Sequence, residues 1–398
     1  MSDTIIRVAA RGDGVTANGR HAAFAAPGDT LSEDGRVTPG PHHQTPPCGH
    51  FPRCGGCQLQ HLDEESYAGF VTDRVASALD AQGLTSPLRP THVSPPHSRR
   101  RATLHVEFKG GRILIGFSEE KSHAIVDMAE CHILDPQLFA LVAPLRGLLQ
   151  RLGFKRRGDL HLTLADQGAD VLVTGFSPDG LEAAEAIIGF CQRHGVARFA
   201  VDDGLGPETR WEPEPVTVTL GGVGVPLPPG SFLQATRDGE AALVAAVREA
   251  VGQPRTTADL FAGLGTFALA LPGKVYAAEG ARDAILSLKG AANATGRMVF
   301  AEHRDLYRRP LTKTELDRFD AIVLDPPRAG ARDQAEALAE AEVGAVAYVS
   351  CNPATFARDA KAMVEHGWQL DWVQPVGQFR WSTHVELAAR FSRQPSSG

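Results

Sequence analysis

Asp259-Leu260-Phe261-Ala262-Gly263-Leu264-Gly265-Thr266-Phe267 is the stretch whose reading decides the fold. Residues 257–261 read as a strand, and the two glycines at alternate positions let the backbone turn tightly and approach a ligand. Further strands are expected at 275–279, 298–301, 321–325, 345–349 and 369–373, with helices at 282–294, 334–342 and 354–366 between them. Strand and helix in strict alternation predict an α/β fold, a Rossmann-like doubly wound parallel sheet covered on both faces. Ligands of such sheets bind at the carboxyl ends of strands. Glu279 ends the second strand, twenty residues after Asp259, where a carboxylate can accept hydrogen bonds from ribose hydroxyls. The third glycine of the dinucleotide fingerprint is missing, and this motif offers no phosphate-binding Lys followed by Ser or Thr. A nucleoside without phosphates fits better, which points to S-adenosylmethionine. A mere packing turn is the competing reading, and Glu279 weighs against it.

Two later strand ends carry chemistry. Asp325-Pro326-Pro327-Arg328-Ala329-Gly330 follows the fourth strand. Consecutive prolines cannot continue a ladder or a helix, so they stiffen a loop beside the crevice and fix Asp325 over it. Ser350-Cys351-Asn352-Pro353 follows the fifth strand and precedes a helix. A cysteine held near a helix N-terminus is expected to favour its thiolate, the nucleophilic form. The alternative, a small core cysteine, does not account for the flanking Asn-Pro. Glu386 lies in an otherwise apolar strand 35 residues further on; it is either a solvated edge residue or a partly buried base.

The rest of the chain divides into three expected segments: 1–45, 46–228 and 229–398. The first shows short strands between Gly-rich turns and ends in a Pro- and His-rich stretch, TPGPHHQTPPCGH, that reads as a linker. The middle is mixed α+β, with helical patterns at 61–84, 138–152 and 181–194. The length of 398 residues suits two or three domains. Forty basic against 47 acidic side chains leave a net charge of −7, which excludes a globally basic nucleic-acid binder. Any such contact must use local runs, here Arg99-Arg100-Arg101 and Lys155-Arg156-Arg157. No apolar run reaches the roughly 18 residues of a membrane helix, and the N-terminus has no secretory pattern. A cytoplasmic protein is expected, with no membrane association and no obligate protein partner.

Six cysteines are too few for a disulfide scaffold. Cys48, Cys54 and Cys57 form C-x5-C-x2-C, and Cys131 follows downstream. Four thiolates can hold a 4Fe–4S cluster or a structural zinc, and spacing does not separate the two. Cys191 lies on a helical pattern and reads as core. His42, His43, His50 and His61 read as solvated linker histidines.

Five motifs in this order resemble the RNA uridine-C5 methyltransferase family, and most closely its bacterial 23S rRNA branch: SFLQAT at 231–236, DLFAGLGTF at 259–267, LDPPRAGA at 324–331, SCNPATFARD at 350–359 and HVELAARF at 384–391. The resemblance extends over nearly the whole chain. It implies that Cys351 adds to carbon 6 of uracil and that Glu386 removes the proton from carbon 5. It also implies that Gln234, Phe261, Thr266, Glu279, Asp305 and Asp325 line the S-adenosylmethionine pocket. It favours a 4Fe–4S cluster on the four cysteines, because the rRNA branch carries them and the tRNA branch does not. The same point makes 23S rRNA the expected RNA partner. The first segment is similar to a shortened TRAM domain, an RNA-binding barrel of the OB type. Rivals are a tRNA uridine methyltransferase, an amino-group methyltransferase suggested by Asp-Pro-Pro alone, and a non-catalytic iron–sulfur RNA-binding protein.

Overall fold

A computed structural model describes residues 2–393; residue 1 and residues 394–398, the outer ends of the first and third expected segments, lie outside it. The chain opens with β1 (Asp3–Val8), β2 (Gly14–Thr16), β3 (His21–Ala22), β4 (Thr30–Leu31) and β5 (Val37–Thr38). They form an antiparallel sheet in the order β3-β2-β1-β4-β5 around Ile5, Ala22, Ala25 and Leu31. This sheet is compatible with a barrel-like domain. The stretch read as a linker is tied down by its histidines. His42 pairs with Asp63 at 2.8 Å, His43 with Asp29 at 2.7 Å, and His50 accepts from the Ala129 N–H at 2.9 Å. His61 is buried with no partner on either ring nitrogen, and burial pulls its pKa down to about 4, so it stays neutral. The expectation of solvated linker histidines is therefore wrong: His43 ties the stretch to the first sheet, His42 to the cap of α1 and His50 to the loop at 129, while His61 is buried without a partner.

The middle of the chain continues with α1 (Glu64–Asp80), β6 (His92–Val93), β7 (Arg101–Lys109), β8 (Arg112–Gly116), α2 (Pro136–Phe139), α3 (Val142–Arg151), β9 (Arg157–Leu164), β10 (Ala169–Thr174), α4 (Leu181–His194), β11 (Val196–Asp202), β12 (Glu208–Trp211), β13 (Thr217–Leu220) and β14 (Val223–Pro226). Six of these strands form one sheet, β12-β11-β10-β9-β7-β8. The helix expected over 138–152 is broken into α2 and α3. Pro144 has no N–H to bond back to Ala140, so the first helix stops there. Cys191 is core, 1% exposed on α4.

The last part holds α5 (Arg237–Val251), β15 (Thr256–Leu260), β16 (Lys274–Glu279), α6 (Arg282–Thr295), β17 (Val299–His303), α7 (Lys313–Leu316), β18 (Ala321–Leu324), α8 (Arg332–Glu340), β19 (Ala345–Ser350), α9 (Pro353–Glu365), β20 (Gln369–Gly377) and β21 (Glu386–Ser392). Its sheet has the order β17-β16-β15-β18-β19-β21-β20-β6. From β17 to β19 all pairs are parallel, as the alternation predicts. The order reverses between β15 and β18, which opens a crevice at their carboxyl ends. Strict parallelism fails after β19: β21 enters antiparallel between β19 and β20. The outermost strand, β6, comes from the middle of the chain and pairs with β20 through His92 and Val376. Helix α1 also packs on this sheet. Asp63 caps it by accepting from the Ser66 N–H, and its apolar face, Tyr67, Phe70, Val71, Val75 and Leu79, is buried. Among the described residues no helix is long and apolar enough to cross a membrane.

Of the basic run 99–101, Arg100 does not face solvent. It is 5% exposed, its guanidinium lies 2.5 Å from Glu240, and it donates to the Gln234 carbonyl at 3.1 Å. The reading of Arg100 as a phosphate contact is thereby overturned: the residue joins β7 to the start of α5. Removing one member of a buried pair strands the other's charge, so Arg100→Ala is expected to cost about 3 kcal/mol. The loss would be read as a lowered urea midpoint; an unchanged midpoint would show that Glu240 is solvated after all.

Candidate active site

The crevice is an open cleft of about 700 Å³ at the carboxyl ends of β15, β16, β18 and β19. Its floor is the turn after β15. Phe261, Gly263 and Gly265 all have positive φ, at 65°, 55° and 95°. Left-handed backbone is costly for a bulky residue such as Phe261. The turn that imposes it is braced from below, where Asp259 accepts from the Ala268 N–H at 2.8 Å. Burial, with Asp325 and Glu279 nearby, pushes the Asp259 carboxyl up to about 8. A Cβ on Gly265 would stand 2.4 Å from a terminal methyl of Leu288, so glycine here lets α6 pack against the turn.

Glu279 ends β16 and ties its own loop to that turn. One carboxylate oxygen accepts from Gly263 N–H at 2.9 Å and the other from Ala281 N–H at 2.6 Å. Each oxygen keeps a lone pair, and the residue lines the cleft. Asp325 ends β18 opposite it, pushed up to about 7 by burial and by Glu279.

Cys351 and Glu386 meet through strand register. Ser350 of β19 pairs with Leu387 of β21 at the end of the ladder, so Cys351 and Glu386 are the next residues on the two strands, near enough for Glu386 to act on the thiol. Both line the cleft. The loop after Cys351 is shaped by Asn352, which caps α9 by accepting from Ala354 N–H and donates to the Arg328 carbonyl at 3.1 Å. The expected preference for thiolate does not hold in the ligand-free cleft. Burial, then Glu386 and Asp325, push the thiol up to about 11, outweighing its own backbone N–H and Arg328. Two carboxylates beside a buried thiol disfavour a third negative charge more than a helix end favours it. Glu386 is 4% exposed, and burial and Asp325 push it up to about 8; the Gln378 amide and Arg101 work the other way.

Of the six residues expected to hold a cofactor, Gln234, Phe261, Glu279 and Asp325 line this cleft, whereas Thr266 and Asp305 do not. Thr266 is half-buried in the turn. Asp305 turns its carboxylate to its own loop, accepting from Tyr307 N–H at 3.0 Å with Arg308 at 3.4 Å. Sequence reasoning missed Gln378, whose Nε2 donates to Glu386 and, at 2.7 Å, to Gln234 Oε1. A polar residue just past the end of an apolar strand was the available signal. It also missed Arg101 as a neighbour of Glu386; its guanidinium lies 4.6 Å over the ring of Phe232, which lines the cleft.

Away from the cleft, Cys48, Cys54, Cys57 and Cys131 line one small cavity together with Phe51, Phe117 and Met128. Burial raises all four thiols, Cys57 to about 12. Among the described residues, no three His, Cys, Asp or Glu side chains form a group that could hold a metal ion. The structure therefore brings the four together without showing a metal-binding or iron–sulfur geometry.

The model of the family described as tRNA (Uracil-5-)-methyltransferase matches residues 230–394. An uncharacterized RNA methyltransferase of Zymomonas mobilis is 53% identical over 98% of this chain and 99% of its own length. The 23S rRNA (uracil(1939)-C(5))-methyltransferase RlmD of Photorhabdus laumondii is 33% identical, over 90% of this chain and 84% of its own. Among solved structures, the Pyrococcus abyssi tRNA (uracil-54, C5)-methyltransferase in complex with S-adenosyl-L-homocysteine superposes with a TM-score of 0.76. That match is 23% identical and covers 98% of this chain and 99% of that one, which shows a shared methyltransferase fold. With strand ends, cleft and full-length relatives in agreement, the chain belongs to the RNA uracil-5 methyltransferase family.

Proposed function

We propose that this protein transfers a methyl group from S-adenosylmethionine to carbon 5 of a uridine in 23S rRNA, through a covalent bond from Cys351 to carbon 6. The observation that carries the reading is that Cys351 and Glu386, each next to the last β19–β21 pair, line one cleft. Carbon 5 of uracil is too weak a nucleophile to accept a methyl group unaided. Once the Cys351 thiol has lost its proton to water, attack of the thiolate on carbon 6 moves the double-bond electrons towards the carbonyl at carbon 4, giving an enolate whose carbon 5 is nucleophilic. S-adenosylmethionine, when bound, supplies a methyl carbon on a cationic sulfonium. Glu386 then takes the proton from carbon 5, the double bond reforms, and the sulfur–carbon 6 bond breaks to return the cysteine.

The acids Glu279, Asp325 and Glu386 in the cleft suit a cationic nucleoside, although Arg282 and Arg328 also line it. Glu279 would accept from the ribose hydroxyls with its remaining lone pairs, and Gln234, Phe261 and Asp325 would hold the remainder. Three functional segments, 1–45, 46–228 and 229–398, follow from this reading, the first two serving RNA recognition. Lys155 and Arg156 are exposed and remain candidates for phosphate contacts. Support for 23S rRNA is the 33% identical rRNA relative and the four cysteines. The tRNA reading draws on the family description and the archaeal structure. Such a substrate puts the enzyme in the cytoplasm and requires no protein partner.

For the cysteine cavity, the proposal is a 4Fe–4S cluster rather than zinc. Four thiolates could hold either group, and the resemblance to the rRNA branch is what favours the cluster. A cubane holds its cysteines at its corners, which fits four thiols around a shared apolar cavity.

Anaerobically purified protein is accordingly expected to be brown and to carry about four irons; one zinc and no iron on elemental analysis would sink the assignment. Glu279→Ala should weaken S-adenosylhomocysteine binding at least tenfold, about 1.4 kcal/mol, with RNA affinity unchanged. Calorimetry giving wild-type affinity would remove Glu279 from the cofactor pocket. The catalytic pair is separated by a denaturing gel after incubation with labelled RNA. Cys351→Ala should form no adduct and no methyluridine, whereas Glu386→Gln should accumulate a slow-migrating adduct. Normal turnover by Glu386→Gln would shift the base to another group, His384 first. Mapping methyluridine in rRNA and tRNA from a deletion strain distinguishes the two RNA classes.

A further inference from the structure

Gln378 follows directly on β20 and is 1% exposed. Because Val376 of β20 pairs with Glu386, the residue two places on stands just beyond the base. Its amide is used at both ends. Nε2 donates to Glu386 and to Gln234 Oε1, and Oε1 faces the Thr236 N–H at 3.4 Å. A carboxylate able to take a proton is ionised and can only accept, so in that working form the nitrogen end belongs against Glu386. Steric confinement comes from the first turn of α5. A Cβ on Gly239 would stand 2.7 Å from the Cβ of Gln378 and 3.0 Å from its Oε1. Glycine there lets the helix press on the amide and leaves it little room to turn.

We propose that Gln378 is the positioning residue of the base: its amide clamps the Glu386 carboxylate to Gln234 on the cofactor wall and holds it ready to accept the carbon 5 proton. This inference rests on the function proposed above. The groups facing Glu386 are Asp325 from the end of β18, Cys351 from the end of β19, Arg101 from β7 and Gln378 itself. Asp325 makes the carboxylate hold its proton, while Gln378 and Arg101 favour release. With Glu386 pushed up to about 8, the ionised base grows as pH rises through 8. Without Gln378 that rise moves to higher pH, and the freed side chain loses its aim.

The test uses full-length protein, total RNA from a strain lacking the gene, and methyl-labelled S-adenosylmethionine, at pH 7 and pH 9. Gln378→Met keeps the length of the side chain but donates no hydrogen bond. At pH 7 it is expected to leave at least ten times the wild-type amount of RNA adduct on a denaturing gel and to release product at least tenfold more slowly. Both defects should shrink towards wild type at pH 9. Gln378→Asn, one methylene short, should show the same pattern with smaller amplitude, and it carries the test if the Met variant does not fold. Wild-type adduct levels at both pH values would overturn the proposal. So would a pH-independent loss of adduct and product together, or a raised KM for S-adenosylmethionine as the sole change. Glu386→Gln is the control: if it turns over normally, the assignment of the base has failed. If it traps adduct while the Gln378 variants do not, only the role of Gln378 is wrong.

Discussion

The antiparallel entry of β21 between β19 and β20 is the constraint on which the site depends. A parallel strand in that slot would bring its C-terminal end to the crevice and carry Glu386 to the opposite edge. Running the other way, β21 begins at the crevice, and its first residue stands near the cysteine that follows β19. The ladder fixes this placement because a one-residue slip would turn the buried Leu387 and Ala389 to the wrong face. Apolar packing several residues away therefore sets how Cys351 and Glu386 stand to one another.

Concentrating acids at one end of the sheet has an electrostatic cost. Glu279, Asp325 and Glu386 share a partly enclosed cleft, and mutual repulsion with burial raises the proton affinity of Asp325, Glu386 and the Cys351 thiol. A cationic ligand would relieve the repulsion, so the cleft is matched to a positively charged nucleoside. The same acidity makes the neutral donor Gln378 useful, because it can steady a carboxylate without neutralising it.

The middle of the chain contributes to this site structurally. Arg100 pairs with Glu240 at the start of α5, and Arg101 reaches from β7 towards Glu386. Strand β6 and helix α1 extend and cover the large sheet. Adjacent arginines thus have unrelated roles: one holds two parts of the chain together, while its neighbour sets the charge around the base.

The α/β class, the turn at 259–267 and the strand-end positions of Glu279, Asp325 and Cys351 were legible in the sequence. Each depends on local pattern: hydrophobic periodicity, glycine spacing, or a polar residue where an apolar run stops. The four cysteines were likewise visible as a set. The antiparallel sense of β21, the amide of Gln378 against Glu386 and the burial of Arg100 were decided by tertiary structure alone. So was the turning of Asp305 into its own loop, and so was the protonated state of the Cys351 thiol, against the local preference of a helix N-terminus. These features depend on which strands become neighbours and on the field of charges distant in sequence. A local pattern records what a residue is and which way its strand alternates; only the folded chain decides what stands opposite it.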